Sequence, residues 1–196
     1  MTHQVQDPIG PYKRFGDIPQ FTQWGGYSID VMWSDVEAQL DSMGEGWPLE
    51  MNPDFQRGHV WDDAKRIRYV EYILRGGRAA RDILWNCANW QVNQVAADDD
   101  ANKMVLVDGK QRLEAARRFL ANEIPAFGTL FRDFEDWMRG LSGPTFKFHI
   151  NSLARRADVL AWYIDLNSGG VVHSDDEIER VKALLVAERS KGRAGA

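Results

Sequence analysis

The chain has 196 residues, 44% of them apolar and including 8 Trp and 9 Phe, enough to fill the core of one domain without covalent staples. Lys and Arg total 24 against 29 Asp and Glu, a net charge of -5 that leaves no overall basic footprint for duplex nucleic acid. Cys87 is the single cysteine and excludes an internal disulfide; no apolar run nears the roughly 20 residues needed to cross a bilayer.

Residues 1–24 are rich in Pro, Gly and Gln and read as an irregular arm, polar at the start and without the apolar stretch of a secretory signal. A cytoplasmic protein with no membrane contact is expected. Ser34-Asp35-Val36-Glu37 has capping-box spacing and predicts a short helix through Leu40, broken by residues 44–48. Over 64–74, Ile67, Val70, Ile73 and Leu74 recur at helical spacing with Lys65, Arg66 and Arg68 opposite, and Gly76-Gly77 stops that helix. Residues 82–85 fit a strand, and Asp98-Asp99-Asp100 a solvated turn whose carboxylates are a weak metal candidate.

Met104-Val105-Leu106-Val107 is a continuous apolar run, as expected of a strand buried on both faces. The helix after it carries Leu113, Ala116, Phe119 and Leu120 as its apolar stripe. Phe131, Phe134, Trp137 and Met138 predict a further amphipathic helix, residues 146–150 a strand, and residues 153–166 a helix ending in a tight turn at 167–170. Ser174-Asp175-Asp176-Glu177 is a second capping box, opening a last helix with Ile178, Val181, Leu184 and Leu185 inside and a frayed tail after Arg189. Cys87 and the Trp137 and Trp162 rings read as packing residues, while Glu114 and Glu177 are weaker candidates for a base.

Two segments could carry chemistry. The first is Asp108-Gly109-Lys110-Gln111-Arg112, which opens a helix directly after a buried strand. A helix start offers unpaired N–H groups and the positive end of the dipole, and both suit a phosphate. Gly109 lets an anion approach the backbone, Lys110 and Arg112 add charge, and Asp108 either caps the helix or holds a magnesium ion. On this pattern alone, an N-cap followed by two solvated cations is an equally good reading. The second segment is residues 52–61, in which Phe55 and Trp61 anchor a loop and leave Gln56 and Arg57 to face a ligand; Arg57 could instead pair with the helix that follows. The four histidines, His3, His59, His149 and His173, show no metal-ligand spacing, and with one cysteine no zinc site is expected.

Taken together, Phe55-Gln56-Arg57, Val60-Trp61, a helix, Val107-Asp108-Gly109-Lys110-Gln111-Arg112-Leu113-Glu114 and then 162–170 with Glu177-Ile178 resemble domain-of-unknown-function family 262. That family forms the N-terminal half of GmrSD-type, modification-dependent restriction systems and belongs to the ParB/sulfiredoxin superfamily. The three motifs occur in family order and span most of the chain. The resemblance implies a compact α+β domain, a small sheet flanked by helices with further C-terminal helices. The expected division is an irregular arm over 1–28, the nucleotide-binding domain over 29–189 and a frayed tail over 190–196.

The resemblance also implies a nucleoside triphosphate held with Mg2+ and in several members hydrolysed. Carried over position by position, the phosphate-binding residues are Gln56, Arg57, Gly109, Arg112 and, more weakly, Asn167, and Lys110 joins them by its charge. Asp108 and Gln111 are the catalytic candidates, with Asp108 also the metal ligand. Lys110 departs from the Gln usual in the family, which makes binding the safer expectation than turnover. The function expected is a sensor or regulatory part of a DNA restriction or anti-phage system, or its phage-encoded counterpart, with a phosphotransferase or a non-enzymatic DNA-binding module as alternatives. Expected partners are the nucleotide and a separate nuclease or effector protein, with DNA met only indirectly or weakly; self-association is compatible with all of these. Nothing in the residues reads as a His-Asn-His nuclease.

Overall fold

The computed structural model describes residues 11–18, 20, 26–56, 61–90, 102–135, 143–168 and 175–194. Five strands, β1 (Tyr27–Met32), β2 (Leu49–Glu50), β3 (Asp82–Asn86), β4 (Met104–Asp108) and β5 (Thr145–Asn151), form one mixed sheet in the order β1-β5-β3-β4-β2. β1 runs antiparallel to β5, β5 parallel to β3, β3 antiparallel to β4, and β4 parallel to β2. Five helices complete the fold: α1 (Val36–Gly46), α2 (Asp63–Leu74), α3 (Lys110–Leu120), α4 (Arg156–Ser168) and α5 (Asp175–Ala194). The architecture is α+β, as the sequence implied.

The sheet separates two apolar cores, and β4 feeds both. Met104 and Leu106 join the core built with α1, α2 and α3, whereas Val105 and Val107 join the one built with Phe55, α4 and α5. All four residues are buried, which is why they read as an unbroken apolar run. Among the described residues, β1 and β5 bury one face. Phe146, Phe148 and Ile150 point inward, and Ser28, Asp30 and Lys147 are exposed on the other side.

Several elements depart from the expectation. The alternation of Tyr27, Ile29 and Val31 with Ser28 and Asp30 marks β1 as a half-buried strand, although these residues adjoin a Pro- and Gly-rich arm. The capping box at Ser34 does not form, because a 3-10 turn at Trp33–Asp35 moves the helix start to Val36. α1 then continues through Gly44 to Gly46, held by burial of Met43 one turn beyond Leu40. Phe131 begins a 3-10 turn, Phe131–Asp133, rather than a longer helix; its three-residue repeat sets Phe131 and Phe134 edge-on against Phe119 at 5.6 and 6.2 Å. Trp137 and Met138 lie outside the described residues, as do Ser174 and the Asp98–Asp100 run. Asn167 and Ser168 complete α4 instead of turning, and α5 runs on past Arg189 to Ala194.

β2 is only two residues long, so it pairs with Met104 and Val105 and, among the described residues, no strand continues along that edge of β4. The Gln56 side chain takes over there. Its Nε2 donates to the carbonyls of Leu106 and Val107 at 2.7 and 2.5 Å, one hydrogen for each acceptor. Gln56→Leu should orphan both carbonyls and cost about 1–3 kcal/mol. Gln56→Glu should melt lower still at neutral pH, by setting a carboxylate against two carbonyl oxygens, and recover on acidification as the carboxyl protonates. Thermal melts of the three proteins across pH test that order.

Cys87 is fully buried, and burial pushes its thiol up from the usual range. A thiol-specific reagent is expected to leave the folded protein unmodified and to label one cysteine after denaturation, which absorbance titration of the released chromophore would check.

Candidate functional site

The turn from β4 into α3 is governed by Gly109. It adopts φ +102, a conformation side-chain-bearing residues rarely enter. It is also pressed against β3, since a Cβ there would lie 2.6 Å from Ile83 Cδ1 and 3.1 Å from the Asp82 carbonyl oxygen. Gly109 is itself the N-cap of α3 and contributes no capping side chain. Asp108 therefore does not cap the helix. Its Oδ2 accepts from Arg112 Nη2, which also donates to the Asp82 carbonyl at 2.9 Å, so one guanidinium ties β4, α3 and β3 together. Arg112 Nε is buried without a hydrogen-bond partner among the described residues.

The first turn of α3 contains no acidic residue, yet Lys110 and Arg112 stand in it. Cations at a helix N-terminus oppose the macrodipole. Among the described residues, no side-chain cap bond meets the first N–H groups of this helix. Lys110 is half-buried there. In electrostatic terms the helix start carries a half-buried lysine and an arginine paired with Asp108, charges of the sign that an anion at a helix N-terminus would offset.

The register of β4 contains a further feature. Leu84 pairs with Asp108 while its neighbour Trp85 pairs with Leu106, so Val107 is an extra residue and the strand bulges. Cross-strand partners point to the same face. The bulge therefore carries Asp108 to the side of Leu84, off the side occupied by Met104 and Leu106.

The other predicted residues fall as follows. Gln111 belongs to the same turn, and its Oε1 accepts from the backbone N–H of Trp61 at 2.9 Å. Gln56 lies along β4 with its amide engaged on Leu106 and Val107. Gln56 and Trp61, which flank residues 57–60, are thus both hydrogen-bonded to the β4–α3 unit from about fifty positions away in sequence. Arg57 itself lies outside the described residues. Asn167 sits in the last turn of α4, where its Nδ2 donates to the Tyr163 carbonyl at 2.7 Å, a bond within its own helix. Among the described residues no group of three or more His, Cys, Asp and Glu is placed to hold a metal ion, and no helix is long and apolar enough to cross a membrane.

Sequence reasoning missed Asp82 and His149. Asp82 opens β3, offering its carbonyl to Arg112 and its Oδ1 to His149 Nε2 at 2.7 Å. The two residues stand 67 positions apart on neighbouring strands, so no local motif could have joined them. Gly109→Ala is expected to destabilise the protein by about 1–2 kcal/mol from the left-handed φ alone, and further through the contact with the Asp82 carbonyl; a melting curve unchanged from wild type would show that the turn relaxes freely.

No curated protein and no solved structure matches the chain. A family model does: the GmrSD restriction endonuclease, N-terminal domain, matches residues 38–156, more than half of the chain. The matched stretch runs from α1 to the start of α4 and includes Gln56, the Gly109 turn, Asp82 and His149. This chain belongs to the GmrSD restriction endonuclease N-terminal domain family.

Proposed function

We propose that this chain binds a nucleoside triphosphate at the Gly109 turn and acts as the nucleotide-sensing or regulatory part of a DNA restriction system. The observation that carries the reading is electrostatic: α3 begins with two cations, no acidic residue and a side-chain-free cap. A bound polyphosphate would reverse the unfavourable sign at that helix start, taking hydrogen bonds from the first-turn N–H groups and charge from Lys110. The unpartnered Nε of Arg112 adds a donor beside the same turn. Arg57, which follows Gln56 in sequence, is assigned to the phosphates in this reading by its charge alone. The restriction role rests on membership of the family and on nothing in the geometry.

Arg112 has a double part here. Its Nη2 is engaged by Asp108 and Asp82, so it orders the turn as well as supplying charge. Magnesium, where it accompanies the nucleotide, suits a site with one carboxylate, because Mg2+ commonly keeps its waters and the phosphates as its other ligands. Asp108 is the residue that would meet it, and the ion would neutralise charge on the transferring phosphoryl group. Gln111 is engaged by Trp61, which makes it a tie between the loop and the helix start.

A thermal-shift series of common nucleotides, with and without magnesium, tests the reading. A specific ligand at a hundredfold excess over its Kd should stabilise by about 2.7 kcal/mol. Lys110→Gln should then weaken triphosphate binding and flatten its dependence on ionic strength, because a point charge has been removed. Absence of stabilisation by every nucleotide would overturn the proposal, and unaltered affinity and salt slope in Lys110→Gln would remove Lys110 from the site. Product analysis separates hydrolysis, which yields free phosphate, from transfer, which yields a phosphorylated acceptor.

A further inference from the structure

His149 and Asp82 form a hydrogen-bonded pair at the edge of this turn. His149 Nε2 lies 2.7 Å from Asp82 Oδ1, and an ionised carboxylate can only accept. The neutral imidazole therefore carries its proton on Nε2, and among the described residues no hydrogen bond is made by Nδ1. Asp82 is also the residue whose carbonyl takes the Arg112 guanidinium and lies against the Gly109 backbone. Leu84 pairs with His149 on one side and with Asp108 on the other. His149 and Asp108 consequently stand in one row of the sheet, two strand spacings or about 10 Å apart. The β4 bulge brings both side chains to the same face.

The other candidates near the turn are engaged: Asp108 by Arg112, and Gln111 by the Trp61 N–H. We infer that His149, oriented by Asp82, is the proton acceptor for a phosphoryl transfer at the Gly109 turn. The inference rests on the nucleotide-binding reading above and adds the group that activates the attacking oxygen. As a water or acceptor hydroxyl attacks the terminal phosphorus, its O–H proton passes to His149 Nδ1 while the new O–P bond forms. The bond from that phosphorus to the bridging oxygen breaks, and its electron pair leaves on the nucleoside diphosphate. Asp82 stabilises the imidazolium, which then returns its proton to solvent.

Asp82 faces the imidazole from β3, Lys147 lies on its own strand, Asp30 of β1 is in register with Lys147, Arg112 reaches Asp82 from α3, and Arg81, just before β3, bonds Thr145. The test is turnover of magnesium-triphosphate by the full chain and by His149→Ala and Asp82→Asn. His149→Ala should lower kcat by about 10²–10⁴-fold, the usual worth of a positioned general base, with KM, nucleotide Kd and Tm near wild type. It should also regain part of its rate in free imidazole, which a merely structural histidine would not. Asp82→Asn should lower kcat less, since the imidazole stays in place as acceptor but loses the carboxylate that orients it.

A wild-type rate in His149→Ala, or a rate loss that free imidazole does not relieve, would overturn the inference. Nucleotide bound by the wild type but neither hydrolysed nor transferred would also overturn it and leave the binding reading standing. A wild type that binds no nucleotide would overturn both.

Discussion

The close approach of the Gly109 backbone to β3 is the constraint on which the candidate site depends. A strand buried on both faces must end where a helix can start, and the chain has one residue in which to turn. The absence of a Cβ lets that residue enter the left-handed region and lie against Ile83 and the Asp82 carbonyl at once. Everything nearby follows from that contact. It brings Arg112 within reach of Asp82, and that bond in turn fixes the Asp108 carboxylate beside the helix start.

Arginine elsewhere in the molecule is used as a cross-link. Arg66 is buried between α2 and α3 and bonds Asp63 and Glu114, Arg118 bridges Asp63 and Glu123, and Arg117 joins Glu37 on α1. On the other face Arg155 holds Asp158, and Arg156 reaches Asp54. The Arg118 guanidinium beside Asp63 holds that carboxyl below the usual range, so this tie is present at neutral pH and is lost as pH falls through the lowered value. An arginine counted in the sequence is therefore not a unit of surface potential. The cations of the α3 start stand out because the local dipole opposes them.

Much of this was legible from pattern. The helix over α2, the apolar run of β4 and the amphipathic stripe of α3 each follow from periodicity, and the Asp-Gly-Lys-Gln-Arg turn follows from helix-terminus chemistry. What escaped is non-local. Gln56 looks like a ligand residue until Leu106 and Val107 arrive beside it from fifty positions away. The Asp82–His149 pair depends on parallel pairing of β3 with β5, and the side taken by Asp108 depends on a bulge, neither of which has a short-range signature. β1 is a different case: its alternation was readable, but it follows directly on a segment of irregular composition.

The amide of Gln56 has a meaning beyond the bonds it makes. A strand whose neighbour stops after two residues exposes carbonyls that any other extended chain could capture, and such open margins are where folded proteins seed aggregates or exchange strands. Gln56 fills that vacancy with a side chain, which can satisfy the acceptors but cannot propagate a ladder. Among the described residues the sheet is thus finished on this border by an uncharged side chain rather than by another strand.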